Sequence, residues 1–236
     1  MGAIFSPAAL TFLRGLARHN DKAWFEAHRD AYERDVRAPM RELIEEMDVR
    51  LASVAPEIVG DPKASPFRIH RDVRFSKDKS PYKTFVACWF FHRDAGRTAA
   101  PHDNGGAAGF YFHLEPDASI SAGGLYRPPR AALAKVREAL DENPRGLAKS
   151  LGGACAERFG ALTEEYVLTR PPRGYAADHP AAPWLRFTSF TSSRRLTDAD
   201  VTSASLADTL AEDFAALTPL VRWLNSALGH RPASRR

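Results

Sequence analysis

Apolar residues recur at helical spacing through the first quarter of the chain. Ser6-Pro7 supplies an N-cap and a proline at the first helical position, and Leu10, Leu13 and Leu16 share one side of a helix reaching about Ala17. Asn20-Asp21 restarts the pattern with Trp24, Phe25, His28, Tyr32 and Val36. Pro39 bends or restarts it, and Met40, Leu43, Ile44, Met47, Leu51 and Val54 form the stripe of another helix ending near Pro56. From Phe67 the period changes to two, and four strands are predicted over 68–75, 84–92, 109–115 and 119–126. The second is apolar on both faces, which places it centrally in a sheet. The third and fourth form a hairpin around Pro116-Asp117. A three-residue loop sets Leu114 opposite Ile120 on the core side, with His113 opposite Ser121 and Tyr111 opposite Gly123 on the polar side.

Helices restart at Pro128-Pro129, through Leu133, Val136 and Leu140, and at Asn143-Pro144, to about Phe159. A proline-rich stretch over 171–183 precedes a fifth predicted strand, 184–192. The last helix starts near Ser203 and carries Leu206, Leu210, Phe214, Leu217, Val221, Leu224 and Leu228 on one stripe. Pro219 within it speaks against a coiled coil. Helices, then a meander of strands, then helices predict a single α+β domain over 1–229. Its sheet is largely antiparallel, of about five strands, packed with N-terminal and C-terminal helices. The basic tail 230–236 is expected to fray. The stretch 93–107, rich in Gly, Pro and Asp, is a long loop of the kind that is functional or disordered.

Composition narrows the class. Of 236 residues, 44% are hydrophobic and 26% charged, which excludes a disordered chain. The longest apolar run, 85–91, is too short to span a membrane, and no secretory signal pattern opens the chain. Cys88 and Cys155 stand in no metal or redox spacing, which excludes a disulfide scaffold and suits a reducing cytoplasm. His92, Asp94, His102 and Asp103 are metal-type donors without a recognised spacing, so no metal is assigned. The Gly-rich run 105–109 leads into a strand, whereas a dinucleotide loop leads into a helix, so no cofactor is assigned.

Charge locates the chemistry. The chain carries a net +4, and the stretch 68–83 alone holds six basic residues against Asp72 and Asp78. Three of the seven lysines, at 77, 79 and 83, fall there. On a strand, Arg68, His70, Asp72 and Arg74 point one way, with Ile69, Arg71 and Val73 pointing the other. Guanidinium groups grip a phosphate or carboxylate bidentately, Asp72 can orient them, and Lys79 and Lys83 can close over the anion. The alternative is a salt-bridge network with Asp72 and Asp78 as internal partners; two carboxylates cannot neutralise six cations.

The run RIHRDVRFSKDKSPYK resembles the signature of an uncharacterised, mainly bacterial family, the domain-of-unknown-function 2461 family, through Arg68, Arg71, Asp72, Arg74, Phe75, Asp78, Lys79, Pro81, Tyr82 and Lys83. The runs 20–25, 109–114, 123–128, 174–180 and 219–225 are similar to other segments of that family. The resemblance covers nearly the whole chain. It implies a bacterial-type intracellular protein of α+β fold and supplies no reaction.

Two further candidates stand outside the basic motif. In Asp178-His179-Pro180, His179 serves as a general acid or base, or the turn is a capped loop. Tyr111 and His113 sit on the polar side of the hairpin, as a ligand surface or as a half-buried hydrogen-bonded pair. The leading expectation is an anionic small-molecule site in which Arg68, Arg71, Arg74, Lys79 and Lys83 grip the ligand and Tyr82 or His179 supplies a proton. A nucleic-acid module with Phe67, Phe75 and Tyr82 stacking bases, and a ligand-free scaffold, are the alternatives. The concentration of basic residues in one motif that also contains acids favours the first over the second. The sequence leaves open whether the chain turns a substrate over.

Overall fold

Ser6 is extended and Pro7 opens α1 (Pro7–Arg18), whose Leu10, Phe12, Leu13 and Leu16 are buried. The computed structural model describes residues 2–74, 77–95 and 106–232. Asp21 caps α2 (Lys22–Ala27), its Oδ1 accepting from the Trp24 amide at 2.9 Å. A short α3 (Arg29–Tyr32) runs into a single π-helical turn (Glu33–Arg37) and then α4 (Ala38–Val54). Pro39 sits in the first turn of α4. It has no N–H for the carbonyl four residues back and its ring crowds that carbonyl, so the preceding turn widens instead of breaking.

The sheet contains β1 (Ile58–Val59), β2 (Val86–His92), β3 (Gly109–Leu114), β4 (Ser119–Leu125) and β5 (Phe190–Leu196). They lie in chain order and every neighbouring pair is antiparallel. Between β4 and β5 come α5 (Arg130–Glu142), α6 (Gly146–Ser150), α7 (Ala154–Phe159) and α8 (Ala182–Leu185). After β5 come α9 (Asp198–Val201) and α10 (Leu206–Leu228), which ends on Gly229 in the left-handed conformation. The α+β architecture, with an antiparallel sheet and helices at both ends, matches the expectation.

One face of the sheet packs on α4 and α10. The Phe214 ring of α10 lies 4.7 Å from Phe110 of β3 and 5.4 Å from Phe90 of β2. Ser119, Ser121 and Gly123 of β4 line this inner face, and their small size lets α10 approach closely: a Cβ on Gly123 would stand 3.1 Å from Leu217. Asp213 of α10 is fully buried and accepts from Arg158 of α7 and Arg194 of β5, fastening three elements together.

Four local expectations are corrected. Of the expected strand 68–75, the described part 68–74 is not a regular strand. Its backbone meets 81–89 through Phe67 N to Ala87 O (2.9 Å), Lys83 N to Ile69 O (2.8 Å) and Arg71 N to Pro81 O (2.9 Å), with isolated bridges Pro66–Cys88 and His70–Tyr82. Pro66 and Pro81 have no N–H to give, so the ladder is interrupted. Strand β2 is second rather than central, though buried along its whole length. The hairpin has a four-residue loop, Glu115 to Ala118, with Asp117 at φ +62°, so His113 rather than Leu114 stands opposite Ile120, and Ala122 rather than Gly123 opposite Tyr111. This one-residue slip turns Ile120 and Ala122 outward and Ser121 inward. The fifth strand starts at Phe190, because Pro183 begins a helical turn instead.

The basic tail starts out attached. His230 N donates to Asn225 O at 2.8 Å and the His230 ring lies 4.8 Å from His92; residues 233–236 lie outside the described residues. So does most of the loop 93–107, whose first residues make a 3₁₀ turn (Arg93–Ala95).

Candidate functional site

Strand alternation puts Tyr111, His113 and, beyond the end of β3, Glu115 in one row on the outer face of the sheet, away from α4 and α10. The row is hydrogen-bonded end to end: Tyr111 Oη to His113 Nδ1 at 3.0 Å, and His113 Nε2 to Glu115 Oε2 at 3.0 Å. Thr84 donates to the other Glu115 oxygen at 3.2 Å, and the Phe85 ring stacks on His113 at 4.2 Å. Burial lowers the His113 pKa below the ordinary imidazole value, outweighing the carboxylate of Glu115. The ring is therefore neutral at neutral pH. Glu115 takes the Nε2 proton, which leaves Nδ1 as an acceptor for the Tyr111 hydroxyl. Burial above all raises the Tyr111 phenol, so it stays protonated.

Tyr111, at one end of the row, lines a cavity of about 390 Å³. Its floor crosses three strands, with Tyr111 (β3), Ile120 and Ala122 (β4), and Thr191 and Ser193 (β5). Its walls include Phe67, Phe85, Trp89 and Tyr126, with Glu165 at the side. A volume of this size, mostly apolar with a few polar groups, is typical of a small-molecule pocket. Lys83 also lines it. Its ammonium is 5.5 Å from the Phe67 ring centroid and 5.8 Å from that of Phe85. Burial, and after it the neighbouring Arg68 charge, lowers the Lys83 pKa below the ordinary lysine value. An anion entering the cavity restores the stability of that charge.

The basic motif does not converge as one group. Arg74 is bidentate on Asp72, with Nη2–Oδ2 at 2.6 Å and Nε–Oδ1 at 3.0 Å, and this hydrogen bonding holds the Asp72 carboxyl down to about 2. Arg71 pairs with Asp78, whose pKa falls to about 2 mainly through the Ser80 hydroxyl and amide. Lys79 Nζ donates to Val73 O at 2.9 Å. These residues close the loop on itself, while Phe75 and Ser76 lie outside the described residues. Arg68 is exposed, on the helix-facing side of the same segment.

Tyr82 points away from Lys83. Its ring is buried against Phe25 at 4.2 Å, and Asn20 brackets its backbone with two 3.0 Å hydrogen bonds. His179 lies in a third place, with Nε2 on Asp141 of α5 at 2.8 Å and Nδ1 accepting from Ala181 N at 3.0 Å. Both of its ring nitrogens tie the proline-rich loop to α5, and neither Tyr82 nor His179 lines the cavity. Of the expected residues, Lys83, Tyr111 and His113 are brought together; Glu115, two residues further along the same face, completes them and was readable from the period of two. Among the described residues no cluster of three metal-ligating side chains occurs, and no helix is long and apolar enough to cross a membrane.

The family model described as Conserved hypothetical protein (DUF2461) matches residues 8–223. The chain belongs to this family. No curated protein and no solved structure matches it. The DUF2461 description carries no reaction. In this DUF2461 member, three separate family-like segments meet at the outer-face cavity: Lys83 from the basic motif, Tyr111 from the run 109–114 with His113 hydrogen-bonded to it outside the lining, and Tyr126 from the run 123–128.

Proposed function

We propose that this protein binds a small ligand with a planar or apolar body and a carboxylate or phosphate group in the outer-face cavity, and moves a proton on it. The observation that carries this reading is one cavity lined by aromatic side chains, a half-buried lysine and Tyr111, with His113 and Glu115 hydrogen-bonded in a row behind that tyrosine. Lys83 takes the anionic group, and the aromatic walls cover the body. Tyr111 presents an oxygen lone pair to the cavity because its own proton points at His113. A ligand proton passes to Tyr111 Oη as the tyrosine proton passes to His113 Nδ1. The resulting imidazolium is neutralised by Glu115, while Lys83 continues to hold the ligand's original anionic group and lowers the cost of the second negative charge. The buried thiols of Cys88 and Cys155 support a reducing compartment for the protein.

Fluorescent probes test the binding step. Anilinonaphthalene sulfonate carries an aromatic body and an anion; phenyl-naphthylamine has the same rings without the charge. A charge-assisted contact contributes about 1.5–3 kcal/mol, so Lys83→Met is expected to weaken the sulfonate roughly ten- to hundredfold and spare the neutral probe. Ala122→Trp fills the floor and is expected to abolish both. Failure of either probe to bind, or binding indifferent to both substitutions, refutes the reading.

A further inference from the structure

A second hollow lies on the other side of the segment 66–70, between it and the N-terminal helices. Its volume is about 290 Å³, and Phe67 alone is shared with the outer-face cavity. Arg29, Arg37 and Arg41 line it from the helical side, and Lys63 and Arg68 from the opposite side. Glu33 completes the helical ridge, so positions 29, 33, 37 and 41 recur every fourth residue on one face. The π turn lies in the middle of this ridge, and such turns occur often at functional sites.

Charge at this hollow is not internally matched. Arg29 is held by Glu26, which lies outside the lining, at 2.6 Å, and Arg37 by Glu33 at 2.7 Å. Arg41, Lys63 and Arg68 make no side-chain ion pair among the described residues. Three unmatched cations around a concave surface repel one another and concentrate positive potential inside it. Tyr32 adds a donor. Burial raises its phenol pKa despite the charges of Arg37 and Arg41, so it keeps its proton at neutral pH.

We infer that this hollow binds a compact, multiply charged phosphate-type anion at a site separate from the outer-face cavity. Guanidinium groups from two facing walls match the oxygens of a phosphate chain bidentately. The proposal goes beyond the outer-face ligand and does not depend on it. The walls belong to different elements, so the anion also bridges α4 and the segment 66–70.

Calorimetric titration with inorganic tripolyphosphate tests this, with Arg41→Ala, Arg68→Ala and their combination. Each side chain is exposed, so the variants keep the fold, as a melting curve checks. The wild type is expected to bind, each single variant to lose about tenfold and the double variant about a hundredfold, following loss of charge-assisted contacts. Arg74→Ala, already matched by Asp72, is expected to bind as the wild type does. Anilinonaphthalene sulfonate is expected not to compete, which separates failure of this site from failure of the outer-face cavity. No binding of tripolyphosphate, an unaffected double variant, or competition with the sulfonate probe overturns the inference. Tighter binding of a single-stranded oligonucleotide, falling steeply with salt, overturns it in favour of nucleic acid.

Discussion

Asp213→Asn is the most informative test of what holds the outer-face cavity in shape. The carboxylate is completely buried. Its Oδ1 accepts from Arg158 Nε at 2.9 Å and Nη2 at 2.8 Å, and both oxygens accept from Arg194 Nε at 2.8 Å. Arg194 neighbours Ser193 on the cavity floor, so the clamp fixes β5 and that floor to α10. Asparagine keeps the volume and removes the charge, leaving Arg194 against a neutral amide and Arg158 with only Glu212, at 3.2 Å, as a carboxylate partner. Removing one partner of a buried ion pair costs about 3–5 kcal/mol. The two arginine side chains keep 32% and 25% of their exposure, so they can turn partly to water, which selects the lower end. A loss of about 3 kcal/mol in a chain of this size lowers Tm by roughly 6–12 °C. Circular-dichroism melting and urea unfolding measure it, with Cm falling and the m-value unchanged. The Arg74–Asp72 pair is the comparison. It has a similar 2.6 Å contact at 77% and 59% exposure, where the worth of a pair is about 0–1 kcal/mol. A Tm shift below about 2 °C for Asp213→Asn refutes the clamp.

Two further outcomes are expected. The pKa of His113 is lowered in the folded state, so the unfolded chain binds more protons as pH falls below about 6.5; the stability this gives is present above that pH and is lost as pH falls through the folded value. Because the half-buried His230 shifts in the same direction, the comparison is with His113→Gln, which should flatten part of the acid-side slope of urea Cm; an identical slope sinks the assignment. Gly109→Ala places a Cβ 2.1 Å from the Phe90 carbonyl oxygen where β3 meets β2, and should destabilise by about 1–3 kcal/mol in urea unfolding; a neutral result contradicts the close approach.

Local chemistry in the sequence determined most of the helices. Ser6-Pro7, Asp21, Pro39 and the apolar stripe from Leu206 to Leu228 mark ends and faces within a single segment, and the structure places them accordingly. The period of two put Tyr111 and His113 on one face, which is why part of the candidate site was legible. The hairpin register was not. One residue more in the loop moved Ile120 and Ala122 to the cavity side, because the close approach of α10 favours the small Ser121 and Gly123 inward. β5 was misplaced for the same reason: its inward Ser192 and Arg194 carry no apolar signal, and Asp213, needed to bury Arg194, is 19 residues away. The basic motif was readable as a cluster of charge, but not as a division of labour. Only the tertiary structure paired Arg71 and Arg74 within their own loop, turned Lys83 to one face and Arg68 to the other, and brought Arg29, Arg37 and Arg41 opposite Arg68. Charge counts along a chain carry no direction, whereas the direction in which each side chain leaves the backbone decides which charges share a space.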